Sequence, residues 1–503
     1  MKNVLIERNR YFDSVFLMRI SAELESQAGV AQAVVAMGTP LNLETLAAAG
    51  FRLPDGVTPS DLVIAIEASN AQAFGDAEDA LARLLAGEAD EASANDGVQR
   101  PASLRGALAA DPEANLALIS VPGRYAAREA RQALHRGLHV MLFSDNVSVD
   151  DEVSLKEDAI ERGLLMMGPD CGTALLRGAP LGFANVCRPG RIGIVGASGT
   201  GIQEISSLID QWGGGISHAI GTGGRDLSEA VNGRMTRFAI RALGNDPGTD
   251  VIVVVSKTPG PSVVDGVVEA LSSTGCPGVV HFIGGRAEPL SDGVESTETL
   301  ADAAAAALRK IGVEPNHEAG FSLPAGGVPG AVLGLFCGGT LCQECWSLLT
   351  RAGLDVSSNV AADPDRKVRP GEAISGHAVW DLGDDAFTVG KPHPMIEPSL
   401  RDDRVAAAGD DPDVGVVLVD CVLGYGAHEN PAASLAAAAR RAMDCAAADG
   451  RTLHVVASVT GTDADPQRQS DQRALLRDAG VLVAPSNATA ARAVARCLNG
   501  GAA

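Results

Sequence analysis

A chain of 503 residues is too long for one hydrophobic core, so several domains are expected. Apolar residues make up 46% and aromatic residues only 3%, a balance that suits a soluble α/β protein whose small residues let helices pack closely on sheets. The net charge of -23 argues against nucleic acid or an anionic membrane as a partner, so any bound phosphate must be held by local dipoles and a few cations.

Residues 1–98 read as a small α/β unit. VLIERN, AVVAMG and DLVIAIEA are short strands that alternate with helical patterns at 14–24, 42–49 and 71–85. The polar, acidic stretch 87–99, GEADEASANDGVQ, lacks periodicity and reads as a linker. Residues 99–185 resume the alternation with LALISVPGRYAAREARQALHRG, then HVMLFSDNVSVDDEVSLKEDAIERG, then LLMMGPDCG. Ligands bind at the carboxyl ends of parallel strands, which places Val121, Pro122, Gly123 and Ser144 in candidate binding loops.

Residues 186–328 form a further domain, opened by RPGRIGIVGASGTGIQE. Its apolar run, Ile192 to Val195, breaks at Gly196, and Ser198, Gly199, Thr200 and Gly201 lead into a helix with apolar spacing at Ile202, Ile205, Leu208 and Ile209. A strand, tight turn and helix aim free N–H groups and a positive dipole end at one point, which suits phosphate; the alternative is a plain β–α turn. HAIGTGGRDLSEAV, VIVVVSKTPG and VVHFIGGRAEP follow the same strand–turn–helix plan. Arg225 and Arg286 stand beside glycine turns, where guanidinium groups either neutralise a phosphate or carboxylate or form surface ion pairs. Residues 316–329, rich in Gly and Pro, connect to the last domain.

Residues 329–503 are another α/β domain with two anion-type turns, Gly338, Gly339 and Thr340 in CGGTL, and Gly424, Tyr425 and Gly426 in GYGAH. The spacing of Cys337, Cys342 and Cys345 is superficially that of a metal cluster. A helix should carry the last two and no fourth cysteine follows, so buried thiols are expected and no metal. The nine scattered cysteines suit reduced thiols. With no membrane-length apolar run and no signal-peptide core, a cytoplasmic location is expected.

Several motifs carry a resemblance. SVPGRYAAREA, LLMMGPDCG, RPGRIGIVGASGTGIQE, GTGGRDL and VVHFIGGRAEP occur in the order and spacing of the succinyl-CoA synthetase α subunit. GLFCGGTLC, DLGDDAFT, DPDVGVVLVDCVLGYG and APSNATAA resemble the carboxyl-terminal domain of its β subunit. With MRISAELESQAGVAQAVVAMGTP and DLGDDAFTVGKPHPMIEPSLR, nearly the whole chain resembles the FdrA family, whose members are often named acyl-CoA synthetase FdrA. The resemblance implies parallel, doubly wound domains: a CoA-binding-like Rossmann domain at 99–185 and two flavodoxin-like ligase domains, without an ATP-grasp segment. It maps the synthetase's two facing phosphate helices onto Ser198–Gly199–Thr200 and Gly424–Tyr425–Gly426.

Departures from the synthetase pattern shape the functional expectation. The residues after FIGGRAEP contain no counterpart of the phosphorylated histidine, and His281 lies before the motif. His393 and His428 are the freer candidates for a catalytic or hydrogen-bonding role, beside Asp384 and Asp385. The first glycine loop of the CoA domain is replaced, and no segment remains for ATP. No tightly bound cofactor is expected, with phosphate as a substrate. The FdrA resemblance then implies a subunit of an oxamate carbamoyltransferase of allantoin breakdown, active with two further subunits. An acyl-CoA synthetase that borrows an ATP-grasp partner, binding CoA and ATP, and a non-catalytic phosphate-sensing scaffold are the alternatives.

Overall fold

The computed structural model describes residues 2–499, apart from 9, 11, 13, 26, 40–41, 44–45, 48, 55, 95–100, 102, 286–289, 291–292, 317–320, 324–329, 370–371, 373–375 and 389–391. The chain divides into two units, residues 1–111 with 388–392, and residues 112–387 with 393–503.

In the first unit, strands β1 (Lys2–Glu7), β2 (Val30–Met37) and β3 (Leu62–Ala68) form an antiparallel sheet in the order β1-β3-β2. Strand alternation sends Leu62, Ile64 and Ile66 to one face and Val63 and Ala65 to the other. The first face packs on the helices Ser14–Glu25 and Ala71–Ala94 through Leu17, Leu24, Phe74 and Leu81. The long helix corrects the expected linker: it continues to Ala94 because Ala and Glu are strong helix formers. Residues 95–99 of that stretch lie outside the described residues.

The second unit holds the remaining sheets. Strands β4 (Leu116–Ile119), β5 (His139–Leu142) and β6 (Met166–Met167) pair in parallel in that order. Next come β7 (Thr173–Leu176), β8 (Ala179–Gly182), β9 (Pro189–Ala197), β10 (Ile216–Gly221), β11 (Val251–Ser256), β12 (Gly278–Phe282) and β13 (Val294–Ser296). They form one sheet, β13-β12-β11-β9-β10-β7-β8, parallel except for the β7–β8 hairpin. The hairpin falls within the 99–185 segment by sequence, yet it pairs with β10 rather than with β4–β6. The last sheet is parallel throughout. It contains β14 (Ala331–Phe336), β15 (Val356–Ser358), β16 (His377–Asp381), β17 (Val414–Val422), β18 (His454–Thr460) and β19 (Leu482–Ala484), in the order β15-β16-β14-β17-β18-β19.

These two large sheets share a core. The helix Gly199–Gln211 follows β9 and the helix Gly339–Arg351 follows β14, and the two pack together. Ile202, Ile205 and Leu208 join Leu341, Cys342, Cys345 and Leu349 in one buried cluster. Every residue from Gly201 to Asp210 is buried, so this helix is enclosed rather than amphipathic. The three cysteines Cys337, Cys342 and Cys345 are free, buried thiols.

Burying polar groups on enclosed helices requires partners, and Glu204 and Glu344 find them reciprocally. Glu204 accepts from the Thr460 hydroxyl and from the N–H of Asn487, the first residue of the helix Asn487–Leu498. Glu344 accepts at 2.7 Å from the N–H of Leu300, the first residue of the helix Leu300–Lys310, and at 2.7 Å from the Asn487 side-chain amide. Each central helix thereby caps the terminal helix of the other sheet.

A second buried network joins the β4–β6 layer to the large sheet. Lys156, 0% exposed, donates to Glu152 at 2.7 Å, to Asp226 at 2.8 Å and to the Thr222 carbonyl at 3.0 Å, which uses all of its protons. Asp226 also accepts from the N–H and hydroxyl of Thr236.

Removing the cation leaves the buried Asp226 carboxylate without its counter-charge and Glu152 with Arg225 alone. Lys156→Met should therefore lower unfolding free energy in urea by about 3–5 kcal/mol. A pH effect follows from Glu344, whose carboxyl burial pushes from 4.5 up to about 7. The folded state then holds the proton more tightly than the unfolded chain, so stability falls as pH rises. Urea midpoints should drop between pH 4.5 and about 7, with a shallower drop in Glu344→Gln.

Candidate functional site

The site begins where β9 ends. Ser198 takes extended backbone angles and caps the helix Gly199–Gln211, its Oγ accepting from the Gly201 N–H at 3.2 Å. The same Oγ lies 2.6 Å from the Thr340 hydroxyl, in the first turn of the facing helix Gly339–Arg351. Gly201 permits this approach, because a Cβ there would meet Ser198 Oγ at 2.5 Å and Thr340 Cγ2 at 3.2 Å. Two positive helix ends thus meet. The buried Asp420 carboxylate offsets them, accepting from the Cys337 and Gly338 N–H groups at 2.7 Å each. Burial raises the Asp420 pKa, and those N–H bonds and Arg401 oppose the rise. Arg401, 1% exposed, fixes the turn by donating to the Asp420 carbonyl at 2.9 Å and to Cys337 Sγ at 3.6 Å.

Charged groups gather at the carboxyl ends of the neighbouring strands. Ser256 on β11 is in register with Ala197 on β9, so Lys257 stands level with Ser198. Asp381 ends β16 in register with Phe336, beside the Cys337–Gly338 turn; a Cβ on Gly339 would lie 2.4 Å from its Oδ2. Burial pushes the Asp381 carboxyl up to about 6, against the pull of Lys257 and the Gly383 N–H. Asp170, at the open rim, is pushed by desolvation to about 6 as well, with Lys257 again the main opposing charge. Asp145 and Asp385 add to the rise and Arg225 reduces it. Lys257 therefore lies in the fields of two carboxylates from different sheets. Among the described residues it forms no ion pair.

Of the histidines, His393 is drawn into this cluster. Its Nδ1 accepts from the Met395 N–H at 3.2 Å, its ring stacks obliquely on Phe183, and Gly383 leaves space for its Nε2. Burial lowers its pKa to about 4. The neutral ring with Nδ1 engaged carries its proton on Nε2, which makes that atom a donor and not a nucleophile. His428 Nδ1 accepts from the Asn430 N–H at 3.1 Å, and its backbone N–H bonds the Met395 carbonyl.

The Gly424 turn departs from the expected geometry. The Gly424 N–H is bonded to Gln467 Oε1 at 3.0 Å and the Tyr425 N–H to the Ala184 carbonyl at 2.9 Å. Gly426 packs over the Phe183 ring, and the next helix begins only at Pro431. Gly424, Tyr425 and Gly426 are therefore a bridge to the β8 end, and the helix start that faces Ser198 belongs to Gly338, Gly339 and Thr340. The physical reason is that backbone donors already paired inside the protein cannot bind an anion. Arg225 is likewise committed, to Glu152 at 2.9 Å and to the Val147 carbonyl at 2.8 Å, so it is an ion-paired residue. Arg286 lies outside the described residues.

At the other loop pair, the Val121 N–H donates to Ser144 Oγ at 3.0 Å, and Pro122 precedes the helix Gly123–Leu134 without a side-chain cap. A Cβ on Gly123 would lie 2.2 Å from the Asp145 carbonyl oxygen. Protein backbone fills the space this glycine leaves.

Lys257, Asp170, Asp381, Asp420 and the Glu204–Glu344 pair escape the motif reading. One signal was present: Gly199-Thr200-x-x-Gln203-Glu204 recurs as Gly339-Thr340-x-x-Gln343-Glu344. That internal repeat marks the two facing helices directly.

Comparison with known proteins agrees with this architecture. A family model described as CoA-ligase matches residues 335–497, one described as CoA binding domain matches 188–285, and one described as AllF, heavy metal-associated domain, matches 1–101. Fold and matches together define a succinyl-CoA synthetase-like protein of the CoA-ligase type. The uncharacterized protein YahF of Escherichia coli (strain K12) is 43% identical over 497 residues, which covers 96% of each chain. The chain belongs to the FdrA family. A mitochondrial succinate–CoA ligase [ADP-forming] subunit alpha-2 of Trichomonas vaginalis is 30% identical over 184 residues, 35% of this chain and 58% of that one. The ADP-forming sulfoacetate-CoA ligase subunit SauD of Bilophila wadsworthia (strain 3_1_6) is 26% identical over 189 residues, 36% of this chain and 62% of that one. The chain thus spans about three fifths of these two ligase subunits. Segment 1–101 contains neither cysteine nor histidine, so it lacks the thiolate and imidazole ligands that a heavy-metal site commonly uses.

Ser198→Ala removes a helix cap and leaves the buried Thr340 hydroxyl without this partner. Urea unfolding should show a loss of about 1–2 kcal/mol.

Proposed function

We propose that this chain is the phosphate-binding subunit of a carbamoyltransferase that interconverts oxalurate and phosphate with oxamate and carbamoyl phosphate, assembled with two further subunits. The observation that carries the reading is Lys257, which follows the strand position level with Ala197 and whose charge acts on both Asp170 and Asp381. A lysine beside an open helix start suits an oxyanion, and the Gly199 and Thr200 N–H groups extend beyond the Ser198 cap. A phosphate oxygen attacks the terminal carbamoyl carbon of oxalurate. The new O–C bond forms, the C–N bond to the oxamate nitrogen breaks, and that nitrogen takes a proton. Asp381 or Asp170, each held near 6, can deliver it. Lys257 stabilises the charge that collects on the carbonyl and phosphate oxygens. The AllF-type match of residues 1–101 supports the assignment to allantoin breakdown. The engaged Nδ1 atoms of His393 and His428 favour direct transfer over a phosphohistidine route.

A second reading is favoured by the CoA-ligase matches and the ligase relatives: an acyl-CoA synthetase working with an ATP-grasp partner. One experiment separates them. The chain, co-expressed with its genomic neighbours, is given oxalurate and phosphate without ATP or CoA, and carbamoyl phosphate is measured. Formation is expected, with Lys257→Met lowering turnover by about a hundredfold or more. Product only when ATP and CoA are added, as ADP and a thioester, establishes the ligase reading. Turnover unchanged by Lys257→Met and Ser198→Ala makes the chain a scaffold.

A further inference from the structure

The helices Arg234–Gly244 and Pro261–Ser272 cover the face of the large sheet opposite the Ser198 helix. Ala239, Ile240, Leu243, Val263 and Val267 pack there against Val254 and Val280. Between their outer sides runs a groove of about 430 Å³, lined by Arg234, Arg237, Arg241, Gly266, Glu269 and Ser273, among others. The volume falls in the range of small-molecule sites.

Three arginines at i, i+3 and i+7 lie on one stripe of a helix. The helical rise spreads their Cα atoms over about 10 Å. Arg234 is held by Glu157 at 3.0 Å and donates to the Val231 carbonyl. Arg237 is steadied by the Asn232 carbonyl at 2.8 Å but has no carboxylate partner among the described residues, and neither does Arg241. Glu269 is the one acidic side chain in the lining. A chain of net charge -23 that concentrates arginines in one concave place has built a local positive site against its own background.

Gly266 is the second observation. It sits inside a helix, where glycine costs about 1 kcal/mol relative to alanine. Its φ is not in the left-handed region, so no backbone requirement explains it. A Cβ there would first meet Arg237 Nη1, at 3.1 Å. The missing side chain is the space in which the Arg237 guanidinium lies along the groove.

We propose that this groove is a binding site for a small pyrophosphate-bearing metabolite, such as a nucleoside diphosphate or triphosphate, on the opposite side of the sheet from the Ser198–Lys257 cleft. Guanidinium forks donate to phosphate oxygens two at a time, and successive arginines on one stripe match successive phosphoryl groups. Glu269 and Ser273 remain for the neutral or donor end of the ligand.

The test uses the full chain and inorganic pyrophosphate as the probe, followed by calorimetric titration. Wild type should bind it, Arg237→Ala/Arg241→Ala should weaken binding more than about tenfold, and the double lysine variant should fall between. Gly266→Leu, which keeps every charge and favours the helix, should weaken it similarly. Lys257→Met should leave this binding unchanged. Loss of binding with Lys257→Met but not with the arginine variants moves the anion to the cleft and overturns the proposal. Equal binding in wild type and Gly266→Leu, or no binding to wild type, overturns it too. Binding of an acidic partner subunit at these arginines, without pyrophosphate binding, assigns the groove to a protein contact instead.

Discussion

Two helix starts are pressed together between the two large sheets, and nearly everything else at the site follows from the need to make that contact tolerable. Each start carries roughly half a positive charge. Ser198 and Thr340 share a hydroxyl–hydroxyl bond across the junction, while the Asp420 carboxylate sits on the Cys337 and Gly338 N–H groups. One internal anion thus offsets the two dipoles and leaves the Ser198 side of the junction open. Glu204 and Glu344 then lock the helices sideways, each bonding the first N–H of the other sheet's terminal helix. The site is held by a reciprocal exchange of caps between two similar halves of one chain.

The string DLGDDAFTVGKPHPMIEPSLR has a structural account in the same terms. Asp381 lies against Gly339, His393 fills the space over Gly383, and Arg401 grips the Asp420 carbonyl and Cys337 sulfur. One segment surrounds one turn from three sides. Arg225, by contrast, belongs to the scaffold. With Lys156, Glu152 and Asp226 it forms a set of two cations and two anions that ties the β4–β6 layer to the large sheet. The charge is balanced locally, which is what makes its burial possible.

Membership in a ligase-like family and the internal chemistry meet at the histidines. A ring whose Nδ1 is occupied by a backbone N–H, as in His393, keeps its proton at Nε2 and serves as a hydrogen-bond donor. Lys257 forms no ion pair among the described residues, while Asp381 accepts the Gly383 N–H through Oδ1 at 3.0 Å and holds Oδ2 beside Gly339. They sit where parallel sheets present ligands, at the carboxyl ends next to a glycine turn.

Much of the fold was legible in the sequence. Apolar runs ending in glycine turns marked β9, β11 and β14 and the helices after them, because a buried parallel strand has to be apolar on both faces. The turn at Ser198 was legible for the same reason, and so was the family. Local pattern misjudged residues 87–94, where helix propensity outweighed acidity, and the Gly424 turn, where the Gly424 N–H is paired with Gln467 and the Tyr425 N–H with Ala184. Which glycine turn faces Ser198, and that Lys257 acts on both Asp170 and Asp381, are relations between residues far apart in the chain. No local spacing encodes them; strand register and the packing of two enclosed helices decide them.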